Sequence, residues 1–152
     1  MTAETANARR KRALDAMASM PASMLHELYN ENTAGAPDAI AVRGPEIGAI
    51  MLRGRIGGGG APFNLGEASV TRATVRLDSG ELGHSIVLGR DAGKARMIAH
   101  LDALRQLPDW VARVEKSIVE PALEHAREEA KLQAEETEAT RVDFFTMVRG
   151  ED

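Results

Sequence analysis

Apolar residues change their spacing twice along this chain, and the changes divide it into helix, sheet and helix. Over residues 7–19, Ala13, Leu14, Met17 and Ala18 recur at helical spacing, with Asn7 as the expected cap. Pro21 breaks that helix and suits the first turn of a second, which carries Met24, Leu25, Leu28 and Tyr29. Asn32–Pro37 is a loop by composition. The period then falls to two. Ala39–Arg43 reads as a short strand stopped by Gly44-Pro45, and Ile47–Arg55 as a second strand. Ala68–Leu77 alternates between Val70, Ala73, Val75, Leu77 and the polar Thr71, Arg72, Thr74, Arg76, with a break at Ala73–Thr74 that allows a bulge. Asp78-Ser79-Gly80-Glu81 is a hairpin turn and Leu82–Leu88 the returning strand. Helical spacing resumes after Asp91, a plausible cap, over about Ala92–Leu107, and Pro108 ends it. A last helix runs from Asp109 to about Thr137, with Pro121 as a break or a new first turn and with Val111, Val114, Ile118, Ala122 and Leu123 near one face. Its Glu- and Ala-rich second half projects into solvent.

The pattern predicts one α+β domain spanning 1–152: a central antiparallel sheet of about four strands (38–90), flanked by an N-terminal helical segment (1–31) and C-terminal helices (91–138), with an extended, β-prone docking tail (139–152). With 152 residues and 3% aromatic content, its core is aliphatic. A net charge of −4 argues against a general nucleic-acid binder. The absence of cysteine excludes disulfides, thiolate nucleophiles and iron–sulfur ligation by this chain. No stretch reaches the roughly 18 apolar residues of a membrane span, and no leader pattern opens the chain, so a cytoplasmic protein is expected. Charge is unevenly placed: Arg9-Arg10-Lys11-Arg12 is basic and Glu128–Glu138 acidic. Fifteen of the 19 basic residues are arginine, whose planar donor fork suits phosphate and carboxylate.

Two blocks carry the candidate chemistry. The first is Arg53-Gly54-Arg55-Ile56-Gly57-Gly58-Gly59-Gly60-Ala61-Pro62-Phe63-Asn64-Leu65-Gly66-Glu67. Its glycine run either lets a phosphate approach backbone N–H groups between Arg53 and Arg55 or is a flexible strand connection. No P-loop lysine follows. The second is the tail, Thr140-Arg141-Val142-Asp143-Phe144-Phe145-Thr146-Met147-Val148-Arg149-Gly150-Glu151-Asp152, in which an extended chain would send Phe144 and Phe145 to opposite faces. Such a tail docks, on its own sheet or on a partner, and would hold Arg141, Asp143 and Arg149 in place. Between the blocks, Arg72 lies on a strand, His84 is either a proton shuttle or a satisfied, partly buried ring, and Arg90 sits where a strand hands over to a helix. His26, His84, His100 and His125 have no metal-ligand spacing, and no metal site is predicted.

These blocks, with Gly83-His84-Ser85-Ile86-Val87-Leu88-Gly89-Arg90-Asp91 between them, resemble the PhnG family, a subunit of the bacterial carbon–phosphorus lyase core complex. The resemblance covers roughly Arg43–Asp152. It implies a role in phosphonate degradation. With a nucleosidase-type subunit and other core subunits, the chain would take part in displacing adenine from ATP by a phosphonate, giving α-D-ribose 1-methylphosphonate 5-triphosphate from methylphosphonate. It implies no cofactor on this chain alone, MgATP as a substrate of the assembly, and a hetero-oligomer without nucleic acid or membrane. Arg53, Arg55, Gly57, Gly58, Asn64, Arg72, His84, Arg90, Arg141, Phe144, Phe145 and Arg149 would bind substrate phosphate or line the partner interface. Glu67 or Asp143 would stabilise the oxocarbenium-like state at the anomeric carbon. A stand-alone phosphate- or nucleotide-binding module is the alternative.

Overall fold

A computed structural model describes residues 5–56 and 59–140 of the chain. The order is α1 (Ala6–Ser19), α2 (Ala22–Asn32), β1 (Ala39–Gly54), β2 (Phe63–Leu77), β3 (Leu82–Leu88), α3 (Ala92–Leu104) and α4 (Pro108–Val114), then a π-helical stretch (Glu115–Val119) leading directly into α5 (Glu120–Ala139). The sheet is an antiparallel meander, β1-β2-β3. It has three strands because the two segments expected before and after Gly44-Pro45 are one. β1 passes through that dipeptide by placing extra residues opposite β2, between Ala41 and Arg43 and again between Arg43 and Glu46. A side chain at Gly44 would sit 2.6 Å from the Arg72 carbonyl, and its φ is +71°, so only glycine lets the strand continue here. The bulge allowed at Ala73–Thr74 is therefore carried by β1, while β2 keeps perfect register with β3 from Val70 to Arg76. The turn at 78–81 forms as expected, closed by Gly80 N–H to the Leu77 carbonyl at 2.9 Å.

Helices cover one face of the sheet. Ala73, Val75, Leu77 and Val87 point into the core with Ala95, Ile98, Ala99 and Leu101 of α3. That helix is buried on nearly all sides, because it lies between the sheet and a second layer made by α1, α2 and the C-terminal helices. The caps are local and readable: Asp91 accepts Lys94 N–H at 2.9 Å. At α1 the cap is Thr5 instead of Asn7, its hydroxyl accepting Ala8 N–H at 3.2 Å. Near Pro121 the chain widens into the π-helical stretch, because proline has no N–H to give the fourth residue back and its ring crowds that carbonyl. Beyond residue 127, α5 is fully exposed, as its composition predicts.

His100 ties the first helices to α3. Its ring is almost buried between the Tyr29 hydroxyl, 2.6 Å from Nδ1, and the Pro37 carbonyl, 2.8 Å from Nε2. The carbonyl can only accept, so Nε2 carries the hydrogen and Nδ1 accepts from tyrosine, which describes a neutral imidazole. Burial lowers the pKa of His100, against the smaller opposing pull of the Pro37 carbonyl and Asp38. The unfolded chain then binds the proton more tightly than the folded one. Stability contributed by this group is complete above the ordinary histidine pKa, about 6.5, and is lost as pH falls through and below it. We expect the urea midpoint to drop between pH 7.5 and 5.5 more steeply in the native chain than in His100→Gln, and equal slopes would remove His100 as the source.

Candidate functional site

The face of the sheet turned away from the helices is bare. Residues 82, 84, 86 and 88 of β3, and Arg72, Thr74 and Arg76 of β2, alternate outward. Ile86 and Leu88 are 58% and 70% exposed, and Ile40, Ile50, Leu52 and Leu82 join them. A fold of this size rarely leaves so many aliphatic side chains together on one sheet face unless something covers them.

The same face gathers charge at its centre. Glu46 accepts from Arg43 Nε at 2.8 Å and from Arg72 Nη2 at 3.1 Å. Beside them the Thr74 hydroxyl and His84 Nδ1 lie 3.1 Å apart, and all five side chains border a shallow cavity of about 180 Å³. Arg72 and His84 are thus brought together, but His84 is exposed, not the partly buried ring expected, because its position in the strand alternation points it away from the helices. Arg43 and Glu46 were missed. Their signal depended on β1 continuing through Gly44-Pro45, which a reading of two separate strands hides.

Beyond Val70 the β1–β2 hairpin outruns β3. Residues 63–69 pair only with β1, forming a two-stranded ribbon of about 20 Å. Met51, Phe63 and Leu65 are exposed along it, in addition to Ile50 and Leu52. A ribbon with apolar side chains exposed along it gains little stability by itself. Arg53 and Asn64 face each other near its end, Arg55 follows, and Glu67 pairs with Met51, all exposed. Glu67 and Arg72 are five positions apart along β2, and that odd offset puts them on opposite faces. The expected arginines therefore form no single constellation: Arg53 and Arg55 stand at the ribbon end and Arg72 at mid-sheet. Arg90 lies in the turn before α3, which Thr71 clamps: its hydroxyl donates to the Gly89 carbonyl at 2.7 Å and accepts Asp91 N–H at 3.0 Å. Gly57, Gly58, Arg141, Asp143, Phe144, Phe145 and Arg149 lie outside the described residues.

The most tightly held charged group was also missed. Asp102, 1% exposed, accepts Arg10 Nε at 2.9 Å, Arg10 Nη2 at 2.6 Å and the His84 backbone N–H at 2.9 Å. It bolts α1, β3 and α3 together. The same pairing raises the pKa of Arg10. Close by, Lys94 donates to the Ala18 carbonyl at 2.6 Å, and burial lowers its pKa. Among the described residues there is no cluster of His, Asp and Glu able to hold a metal ion, and no helix long and apolar enough to cross a membrane.

A sheet closed by helices on one side, open and apolar on the other, and prolonged by an unsupported ribbon defines an α+β protein built for association. The chain belongs to the PhnG family of phosphonate metabolism proteins, whose family model matches residues 8–150. It is 57% identical over 116 residues to the alpha-D-ribose 1-methylphosphonate 5-triphosphate synthase subunit PhnG of Rhizobium meliloti (strain 1021), a match covering 76% of this chain and 74% of that one.

Proposed function

We propose that this chain is a structural subunit of an α-D-ribose 1-methylphosphonate 5-triphosphate synthase, which transfers a phosphonate to the ribose of MgATP with release of adenine. Its bare sheet face and β1–β2 ribbon pack against the nucleosidase-type subunit and shape that subunit's active site. The observation that carries the docking role is the set of exposed aliphatic side chains on that face, Ile86, Leu88, Ile50 and Leu52. The relative's name, which describes a synthase subunit, supplies the reaction.

The chemistry asks for positive charge. A triphosphate and a phosphonate must approach each other at the anomeric carbon, and fixed guanidiniums lower the cost of that repulsion. Arg43 and Arg72, bridged by Glu46, and Arg53 and Arg55 on the ribbon bring such charge to the covered surface. The leaving adenine and the oxocarbenium-like centre are served by the partner. In this reading Glu67 is an exposed interface carboxylate.

The test is reconstitution with the paired substitution Ile86→Asp and Leu88→Asp. Both side chains are solvent-exposed in the isolated chain, so its unfolding free energy should change by less than about 1 kcal/mol. Co-purification with the other subunits should be lost, and with it adenine release from MgATP and methylphosphonate. A complete, active assembly would refute the docking role. In the same assay Glu67→Ala should hold adenine release within about twofold. A loss of about 100-fold with assembly intact would make it a catalytic carboxylate.

A further inference from the structure

On the helical side of the sheet, the basic segment of α1 meets the end of α3 and the π-helical stretch around a cavity of about 430 Å³. Its walls carry four guanidiniums, Arg9, Arg10, Arg12 and Arg105, against two carboxylates, Asp102 and Glu115. That volume lies in the range of small-molecule sites. The excess of positive charge stands out in a chain whose net charge is −4.

The carboxylates do not neutralise the cavity so much as set its donors. Asp102 holds Arg10 through Nε and Nη2. Glu115 holds Arg105 through a single oxygen, Oε1, which accepts from Nε at 2.7 Å and from Nη2. Each of these two guanidiniums keeps its Nη1 donors unused among the described residues. Their planes are fixed before any ligand arrives, so little side-chain entropy remains to be lost on binding. The Arg105 side chain is only 10% exposed and Asp102 is buried, whereas Arg10 and Glu115 are 40% and 38% exposed, so one member of each pair is poorly screened. Arg9 makes no ion pair among the described residues, and Arg12 stands one turn further along the same helix. The wide π turn contributes Glu115 and Val119 to one wall, four residues apart and nearly in line. Such turns recur at ligand sites.

We propose that this cavity binds a polyphosphate group, with Arg10 and Arg105 as pre-set donors and Arg9 and Arg12 completing the charge. The inference does not rest on the docking role of the sheet, whose residues lie on the sheet's other face. A phosphate chain suits the site better than a lone carboxylate, because several oxyanions can share the Arg9 fork and the outer donors of Arg10 and Arg105.

The experiment is calorimetric titration of the full chain with inorganic phosphate, methylphosphonate, tripolyphosphate and ATP, at matched ionic strength. Tripolyphosphate and ATP should bind saturably, below about 1 mM, and more tightly than phosphate or methylphosphonate. The double substitution Arg9→Gln and Arg12→Gln, on the outer wall, should weaken tripolyphosphate at least about tenfold while circular dichroism stays unchanged. Arg105→Lys, which keeps a charge but loses the fork, should weaken it as well and serves if the double variant misfolds. Absence of saturable binding in the native chain, or equal affinity in native and folded variants, would overturn the proposal.

Discussion

Replacing Gly83 by alanine is expected to destabilise the chain by about 3 kcal/mol or more, because the added methyl has nowhere to go. An ideal Cβ there lies 1.8 Å from the Ala99 carbonyl oxygen and 2.7 Å from Ala103 N. Both are backbone atoms of α3, and no rotamer change can relieve them. The helix would have to lift off β3, opening the contact between Val87, Ile98 and Ala99 that forms the centre of the core. Gly59→Ala is the control: nothing lies within 4 Å of its Cβ position. It should stay within about 0.5 kcal/mol. Urea denaturation of the two variants reads the difference, and near-native stability in Gly83→Ala would mean that α3 sits further from the sheet than described here.

The second large effect belongs to Asp102. Asp102→Ala removes the acceptor of two Arg10 bonds and of the His84 backbone N–H in one step, leaving that N–H buried without a partner. Arg10 is 40% exposed at its side chain and can turn to water, so the loss should fall near the lower end of what breaking a buried pair costs, about 3 kcal/mol. Arg10→Ala should cost at least as much, for a sharper reason: it strands a carboxylate that is 1% exposed. The double variant is then expected to be little worse than either single one. A coupling close to zero in that cycle would show that the two residues act independently.

Which of these features could be read from the sequence follows from how local their causes are. The turn at 78–81, the Asp91 cap and the solvated end of α5 depend on neighbouring residues, and each was legible. The division of β1 into two strands was wrong for a reason outside the segment: Gly44-Pro45 stops a strand unless the partner strand tolerates bulges, and β2 does. The bare face was half legible, since alternation marks Ile86 and Leu88 as a set, but not that all helices gather on the opposite side. Asp102 was invisible. It sits in a helical run of apolar residues, and its partner Arg10 is 92 positions away. The basic segment of α1 drew notice as charge, whereas the carboxylate that orients its Arg10, Asp102, comes from α3.

That π-helical stretch also changes how the last third of the chain must be counted. Each residue of an α-helix advances by about 100°, so a four-residue step overshoots a full turn by about 40°. Val114, Ile118 and Ala122 are spaced four apart, yet all three are buried. The wider turn absorbs the overshoot, and the stripe stays in phase across Pro121. Carried through as an uninterrupted helical wheel, the three residues would spread over about 80°, still within one apolar stripe, so their spacing alone does not reveal the wider turn. What the stretch changes is everything after it: the wider turn rotates the rest of α5 relative to such a wheel, so the side on which its acidic half carries its charge depends on five residues whose composition alone is unremarkable.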